Sequence, residues 1–199
     1  MSTIRSFIAI EIDQSNRHKV SSLVSSLKKS NADVKWLKDD QMHLTLKFLG
    51  NIQRPDIQKI SWELKEMLKA FKTFNIRFSK IGGFPSMDHP RVIWLGIDKG
   101  SDVLKDLNNK VEKGLGKIGI KKEGREYRAH LTLGRVRSLK NIPELVRLIK
   151  ETDICFQDEI KIERIVLFQS TLTKKGAIYT SLGTYDLLTT PCKQPEGSD

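Results

Sequence analysis

The chain has 199 residues, with 35 Lys and Arg against 24 Asp and Glu, a formal net charge of +11. Its 38% hydrophobic and 30% charged residues are the composition of a globular chain of one domain or two small, closely packed lobes, not of a disordered one. No apolar run approaches the roughly 18–20 residues of a transmembrane helix, and the basic balance points to an anionic partner, nucleic acid foremost.

Ile4 to Ile12 reads as a strand, with Ile4, Ile8, Ile10 and Ile12 on one face and Phe7, Ala9 and Glu11 on the other. A helix follows over 14–29, with Asp13 as its N-cap and Val20, Leu23, Val24 and Leu27 as its apolar stripe. Val34 to Leu37 is short and extended, and Met42 to Leu49 is a strong strand. A second helix starts near Pro55 and buries Ile57, Ile60, Leu64, Met67, Leu68 and Phe71. Strands over 74–81 and 91–97 flank a Gly- and Pro-rich loop at 82–90. Ser101 is placed to cap a third helix, which Gly114, Gly116 and Gly119 are expected to break. A basic loop over 121–128 leads into a strand at 129–136, and a helix over 142–150 follows. The last strands are 160–169 and 177–185, joined by Lys174–Lys175–Gly176, and the polar tail 191–199 is expected to fray. Short loops between adjacent strands favour antiparallel pairing over a doubly wound parallel sheet.

One tetrapeptide occurs twice: His43–Leu44–Thr45–Leu46 and His130–Leu131–Thr132–Leu133, 87 residues apart, one in each half of the chain. Each copy lies on a predicted strand and runs on to a glycine, Gly50 or Gly134. Period-two alternation puts His43 with Thr45, and His130 with Thr132, opposite the leucines. A sheet face of only His and Thr is a poor core and a good cleft wall. Two homologous lobes meeting about a pseudo-two-fold axis would set these faces against each other.

Two imidazoles with unperturbed pKa near ~6.5 can supply one general base and one general acid at neutral pH. Threonine hydroxyls can donate to phosphoryl oxygens and stabilise charge that develops there. A lone strand His is usually structural, but duplication on matching faces favours chemistry. Two His without carboxylate or Cys partners at ligand spacing fall short of a metal site's three or four ligands. Neither a P-loop nor a Gly-x-Ser-x-Gly elbow is present. Cys155 and Cys192 form no disulfide framework, which fits a reducing cytoplasm. The N-terminus lacks the apolar core of a signal peptide, so a cytoplasmic location is expected.

The chain resembles the two-histidine phosphoesterase superfamily, and within it the RNA 2',3'-cyclic phosphodiesterases, some described as 2'-5' RNA ligases. The resemblance runs over residues 3 to about 188. Beyond the two motifs it includes Arg5–Ser6–Phe7–Ile8–Ala9–Ile10, Trp36, Gly83–Phe84–Pro85, Pro90–Arg91–Val92, Trp94–Leu95–Gly96, Tyr127–Arg128 and Ser170–Thr171–Leu172. Ala129 departs from it, standing where the family has Pro. The resemblance implies an α+β fold of two pseudo-symmetric lobes, each an antiparallel sheet with helices on its outer face, and an active-site cleft between them. Residues 1–190 would then be a single bilobal domain. It further implies metal-independent hydrolysis of a 2',3'-cyclic phosphate to a 2'-phosphomonoester, with no cofactor. The family roles make His43 the proton donor and His130 the acceptor, with Thr45 and Thr132 on the phosphoryl oxygens. The residues themselves leave donor and acceptor unassigned.

The expected partner is RNA or a nucleotide with a 2',3'-cyclic phosphate end, tRNA fragments among them, with neither a membrane nor an obligate protein partner. Tyr127, Arg128 and Arg135 flank the second motif, either to bind RNA or as members of structural ion pairs. Phe7 and Phe48 either stack on a base in the cleft or pack in the core. A 2'-5' ligase using the same residues and a non-catalytic RNA-binding module are the other readings.

Overall fold

The computed structural model describes residues 3–152, 156–174 and 176–189. Among the described residues nine strands and four α-helices form in the order β1 (Thr3–Glu11), α1 (Gln14–Lys28), β2 (Val34–Trp36), β3 (His43–Gln53), α2 (Asp56–Leu68), β4 (Phe74–Phe84), β5 (Val92–Lys99), α3 (Ser101–Lys117), β6 (His130–Val136), α4 (Ile142–Glu151), β7 (Ile160–Ile162), β8 (Arg164–Thr173) and β9 (Gly176–Asp186). The named strands all pair antiparallel, in the order β7-β4-β5-β6-β3-β1-β8-β9, with β2 also on β6. The fold is α+β.

The sheet has two halves joined at one rung, Leu44 opposite Leu131. These residues are 87 apart, the same interval as the two motifs. A two-fold axis that superposes the motifs therefore passes through this rung. The sheet halves do not coincide with the halves of the chain. β1 and β3 from the first half pair with β8 and β9 from the second, while β4 and β5 join β6 and β7.

The alternation read from the sequence sorts the two faces. Ile8, Ile10, Leu44, Leu46, Leu131 and Leu133 pack with Val20, Leu64, Leu107 and Leu145 of the four helices in one core. At roughly 1.5–3 kcal/mol for each large aliphatic side chain buried, this core is the main source of stability. Phe7 and Ala9 face the other way and form a small cluster with Val166 and Phe168.

Several expected boundaries move. Asp13 caps α1, its carboxylate accepting from the Asn16 amide at 2.9 Å. Ser101 is the first helical residue of α3, and the capping position is Gly100, at φ +77°. A side chain there would sit 2.4 Å from the Asn75 carbonyl, so glycine is required. Gly114 does not break α3. A Cβ at this position would lie 2.4 Å from Met67 Cε, so the helix keeps a glycine where α2 crosses it. β4 runs on through Gly82 and Gly83 to Phe84, because Trp94 of β5 lies flat over Gly82. The expected strand over 160–169 divides at Glu163 into β7 and β8, which pair with different neighbours. Cys155, Lys175, Cys192 and the tail 191–199 lie outside the described residues. No helix among the described residues is long and apolar enough to cross a membrane.

Candidate active site

A cleft of about 1500 Å³ spans the junction of the two sheet halves and reaches Lys105, Asn108, Asn109 and Glu112 of α3. His43, Thr45, His130 and Thr132 all line it. Continuing the Leu44–Leu131 register by one residue each way sets His43 beside Thr132 and Thr45 beside His130. The leucines between them are buried in the core.

Each motif ends in a bulge. On β3, Thr45 pairs with Ala9 and Lys47 with Ile8, so two steps oppose one. On β6, Thr132 pairs with Trp94 and Gly134 with Ile93 in the same way. The bulge reverses the alternation. Lys47 and Gly134 turn into the core, while Phe48 and Arg135 turn out. The carbonyls freed by the bulges find partners: Leu46 accepts from Asn108 Nδ2 at 2.8 Å and Leu133 from the Leu37 amide at 2.9 Å.

Both imidazoles bond to the backbone two residues upstream. His130 Nδ1 donates to the Arg128 carbonyl at 2.6 Å, and His43 bonds to the backbone of Gln41. A proton held on Nδ1 leaves Nε2 as the nitrogen free for chemistry. Aromatic rings surround each imidazole. Phe7 and Tyr179 lie 4.8 and 5.1 Å from His43, and Phe84 and Trp94 lie 5.1 and 6.3 Å from His130. Burial lowers the His43 pKa to about 4; the bond to Gln41 opposes this and His130 adds to it. His130 is also lowered, chiefly by burial; the Arg128 carbonyl opposes this and Arg135 assists. Burial therefore favours the neutral form of both imidazoles in the free protein.

The other expected residues divide. Phe7 is 3% exposed and lies beneath His43, with no free face for a base. Phe48 is 52% exposed on the cleft wall, 6.2 Å from Phe7, so the core-packing alternative does not hold for it. Tyr127 lines the cleft but packs against the main core, and its hydroxyl is buried with no hydrogen-bond partner among the described residues. Arg128 and Arg135 line the cleft, and neither forms a salt bridge among the described residues. Arg5, Gln41, Arg91 and Tyr179 also reach the cleft and were not singled out as site residues from the sequence. Arg5 shares the odd-numbered face of β1 with Phe7, so its position was available from alternation. Tyr179 comes from β9 and carried no local signal.

Seven cations line the cleft: Arg5, Arg91, Lys105, Lys122, Arg125, Arg128 and Arg135. Three carboxylates, Glu112, Glu123 and Glu126, oppose them. Among the described residues no group of three or more His, Cys, Asp or Glu is arranged to hold a metal ion.

The model of the LigT-like phosphoesterase family matches the chain twice, over residues 10–94 and 95–179. An RNA 2',3'-cyclic phosphodiesterase of Methanothermobacter thermautotrophicus is 31% identical, covering 92% of this chain and 99% of its own. One from Archaeoglobus fulgidus is 33% identical, covering 92% and 100%. The crystal structure of E. coli LigT complexed with 3'-AMP superposes with a TM-score of 0.74 at 20% identity, covering 94% of this chain and 99% of that one.

Proposed function

The chain belongs to the LigT-like phosphoesterase family, and from that premise we propose that it is an RNA 2',3'-cyclic phosphodiesterase using His43 and His130 as its acid–base pair. The observation that carries this reading is the pair of His-x-Thr faces beside one rung of the sheet, at the floor of a cationic cleft.

Water attacks the cyclic phosphorus in line with the bond to O3'. His130 Nε2 takes the proton from that water, its Nδ1 being engaged by the Arg128 carbonyl. The P–O3' bond breaks, His43 gives its proton to O3', and a 2'-phosphomonoester remains. Thr45 and Thr132 donate to the non-bridging oxygens, whose charge grows in the transition state. His43 must be protonated to serve as the acid, although burial holds its pKa near 4 in the free protein. The phosphodiester anion supplies the opposite charge that raises it on binding.

The cleft is larger than the roughly 300–1000 Å³ usual for a small ligand. Its size supports an RNA end, such as that of a tRNA fragment, over a free nucleotide. The single domain over residues 1–190, the cytoplasmic location and the independence from metals and obligate protein partners belong to the same reading.

The test is incubation with a 2',3'-cyclic nucleotide in EDTA, followed by identification of the product isomer. A 2'-phosphate formed at an unchanged rate is the expected result. A 3'-phosphate, or activity that returns only with added metal, would overturn the mechanism.

A further inference from the structure

Lys47 is completely buried, although it lies two residues beyond Thr45. Unbroken alternation would have placed it in the cleft with His43 and Thr45, as a direct phosphate ligand. The bulge turns it inward instead, and its ammonium donates to Glu112 Oε1 at 2.7 Å and to the Lys121 carbonyl at 2.9 Å. The other Glu112 oxygen is buried with no hydrogen-bond partner among the described residues. The loop that follows returns to the same place. The Glu123 amide donates to Glu112 Oε1 at 3.4 Å, and Glu123 Oε1 accepts from the Phe48 amide at 2.8 Å.

Residues 121–123 are thus tied to the two residues that follow the β3 bulge. The stretch 118–129 contains neither helix nor strand; beyond these ties it is held by the exposed Lys105–Glu126 ion pair at 2.9 Å and by the packing of Tyr127 against the core. It carries Lys122, Arg125 and Arg128 into the cleft lining, and none of the three forms a salt bridge among the described residues. An apolar side chain could fill the space of Lys47 without the cost of burying a charge. The ammonium adds direction: it joins a helix carboxylate to a loop carbonyl.

We propose that Lys47 is a positioning residue. Together with Glu112 it fixes the 121–128 loop as a cationic arm that holds RNA phosphates upstream of the cyclic end. The arm makes the enzyme select oligoribonucleotides over cyclic mononucleotides. This rests on the phosphodiesterase reading above. Lys47 itself does not touch substrate.

The decisive quantity is the ratio of kcat/KM for a short oligoribonucleotide ending in a 2',3'-cyclic phosphate to that for a 2',3'-cyclic mononucleotide. In Lys47→Met/Glu112→Leu both charges leave together, so no uncompensated charge stays buried and the fold is retained. The ratio should fall about tenfold, through the oligomer's KM. The salt slope for the oligomer should also move toward the mononucleotide's, since each phosphate contact on a single strand adds about 0.7 to it. Glu123→Ala cuts the surface tie to Phe48 without touching the core and should lower the ratio about threefold. Lys122→Ser/Arg125→Ser should reproduce the tenfold fall with the buried pair intact.

A ratio within twofold of wild type in the buried-pair and Glu123 variants would overturn the anchor. The same result in the Lys122/Arg125 variant would overturn the arm. If the wild-type protein turns over neither substrate, the phosphodiesterase reading fails. Fluorescence anisotropy with a 3'-phosphorylated oligomer then decides the arm separately: unchanged affinity in the variants would sink it, and affinity about tenfold weaker would sustain it.

Discussion

The Phe7 ring lies 4.8 Å from the His43 imidazole, tilted 31° to it, and walls off one side of the group assigned as the acid. With Tyr179 edge-on at 5.1 Å, this apolar surrounding is what holds the imidazole near pKa 4. In the free protein the His43 ring protons should titrate by NMR well below the ordinary ~6.5. Adding a 2'-nucleotide should move the midpoint up. A free-state midpoint at 6.5 would contradict the burial.

The same shift makes stability depend on pH. The folded pKa is depressed, so above ~6.5 neither state carries the proton and nothing is lost. As the pH falls from ~6.5 toward 4, the unfolded chain takes up a proton that folded His43 refuses, and stability declines. Urea unfolding at pH 7 and pH 4.5 should give a lower midpoint at pH 4.5. Replacing His43 with Ala should reduce that difference.

Activity should show the effect of substrate charge on the acid. The alkaline limb of kcat reports protonated His43 in the complex, whereas that of kcat/KM reports the free protein. The kcat limb should therefore lie at higher pH. Both limbs belong to the coupled pair. Coincident limbs, measured from about pH 3.5 to 9 on a cyclic nucleotide, would show that the phosphate does not raise His43.

Removing either member of the pair should be costly and not additive. His43→Ala and His130→Ala should each lower kcat by about 10²–10⁴. The double variant should be little worse than the worse single, because the two act as a unit. Steady-state turnover of a cyclic nucleotide checks this, and near-wild-type turnover in either single variant would remove that histidine from the mechanism.

Two glycine-to-alanine changes should have opposite signs. At Gly134 a Cβ would meet Val34 Cγ1 at 2.6 Å and Trp36 Cε3 at 2.9 Å, where β2 closes over the second bulge. Overpacking there should cost about 1–3 kcal/mol. Gly116 lies in α3 with nothing within 4 Å of the new atom, and alanine should gain about 0.5–1 kcal/mol. Thermal melts of the two variants should shift in opposite directions.

The four motif residues were legible because a strand's period of two needs no knowledge of its neighbours. Leu44 and Leu131 had to face the core if His43 and His130 faced a cleft. Lys47 and Phe48 were not legible in this way. A bulge is fixed by pairing with a partner strand, and two residues against one cannot be read from a single strand. The same reason hid Tyr179 and left Phe84 and Trp94 as motif residues without a site. Each is placed beside a histidine by strand pairing between distant segments. Gly114 misled because a glycine in a helical pattern reads as a stop unless the helix crossing it is known.

The exchange of strands between the sheet halves bears on what a half-length chain could be. Neither half owns a complete sheet half, so one alone would leave bare the edges its missing strands cover. Two copies of a half could complete one another only as a homodimer that trades hairpins, and such a dimer must repeat every cleft residue about its axis. Joined in one polypeptide, the halves are released from that constraint. Phe48 and Arg135 stand at equivalent places after the two bulges, one an aromatic ring and the other a guanidinium. Covalent fusion is what permits the two ends of the cleft to differ, so that a strand of RNA meeting a nearly symmetric pair of histidines can still have a preferred direction.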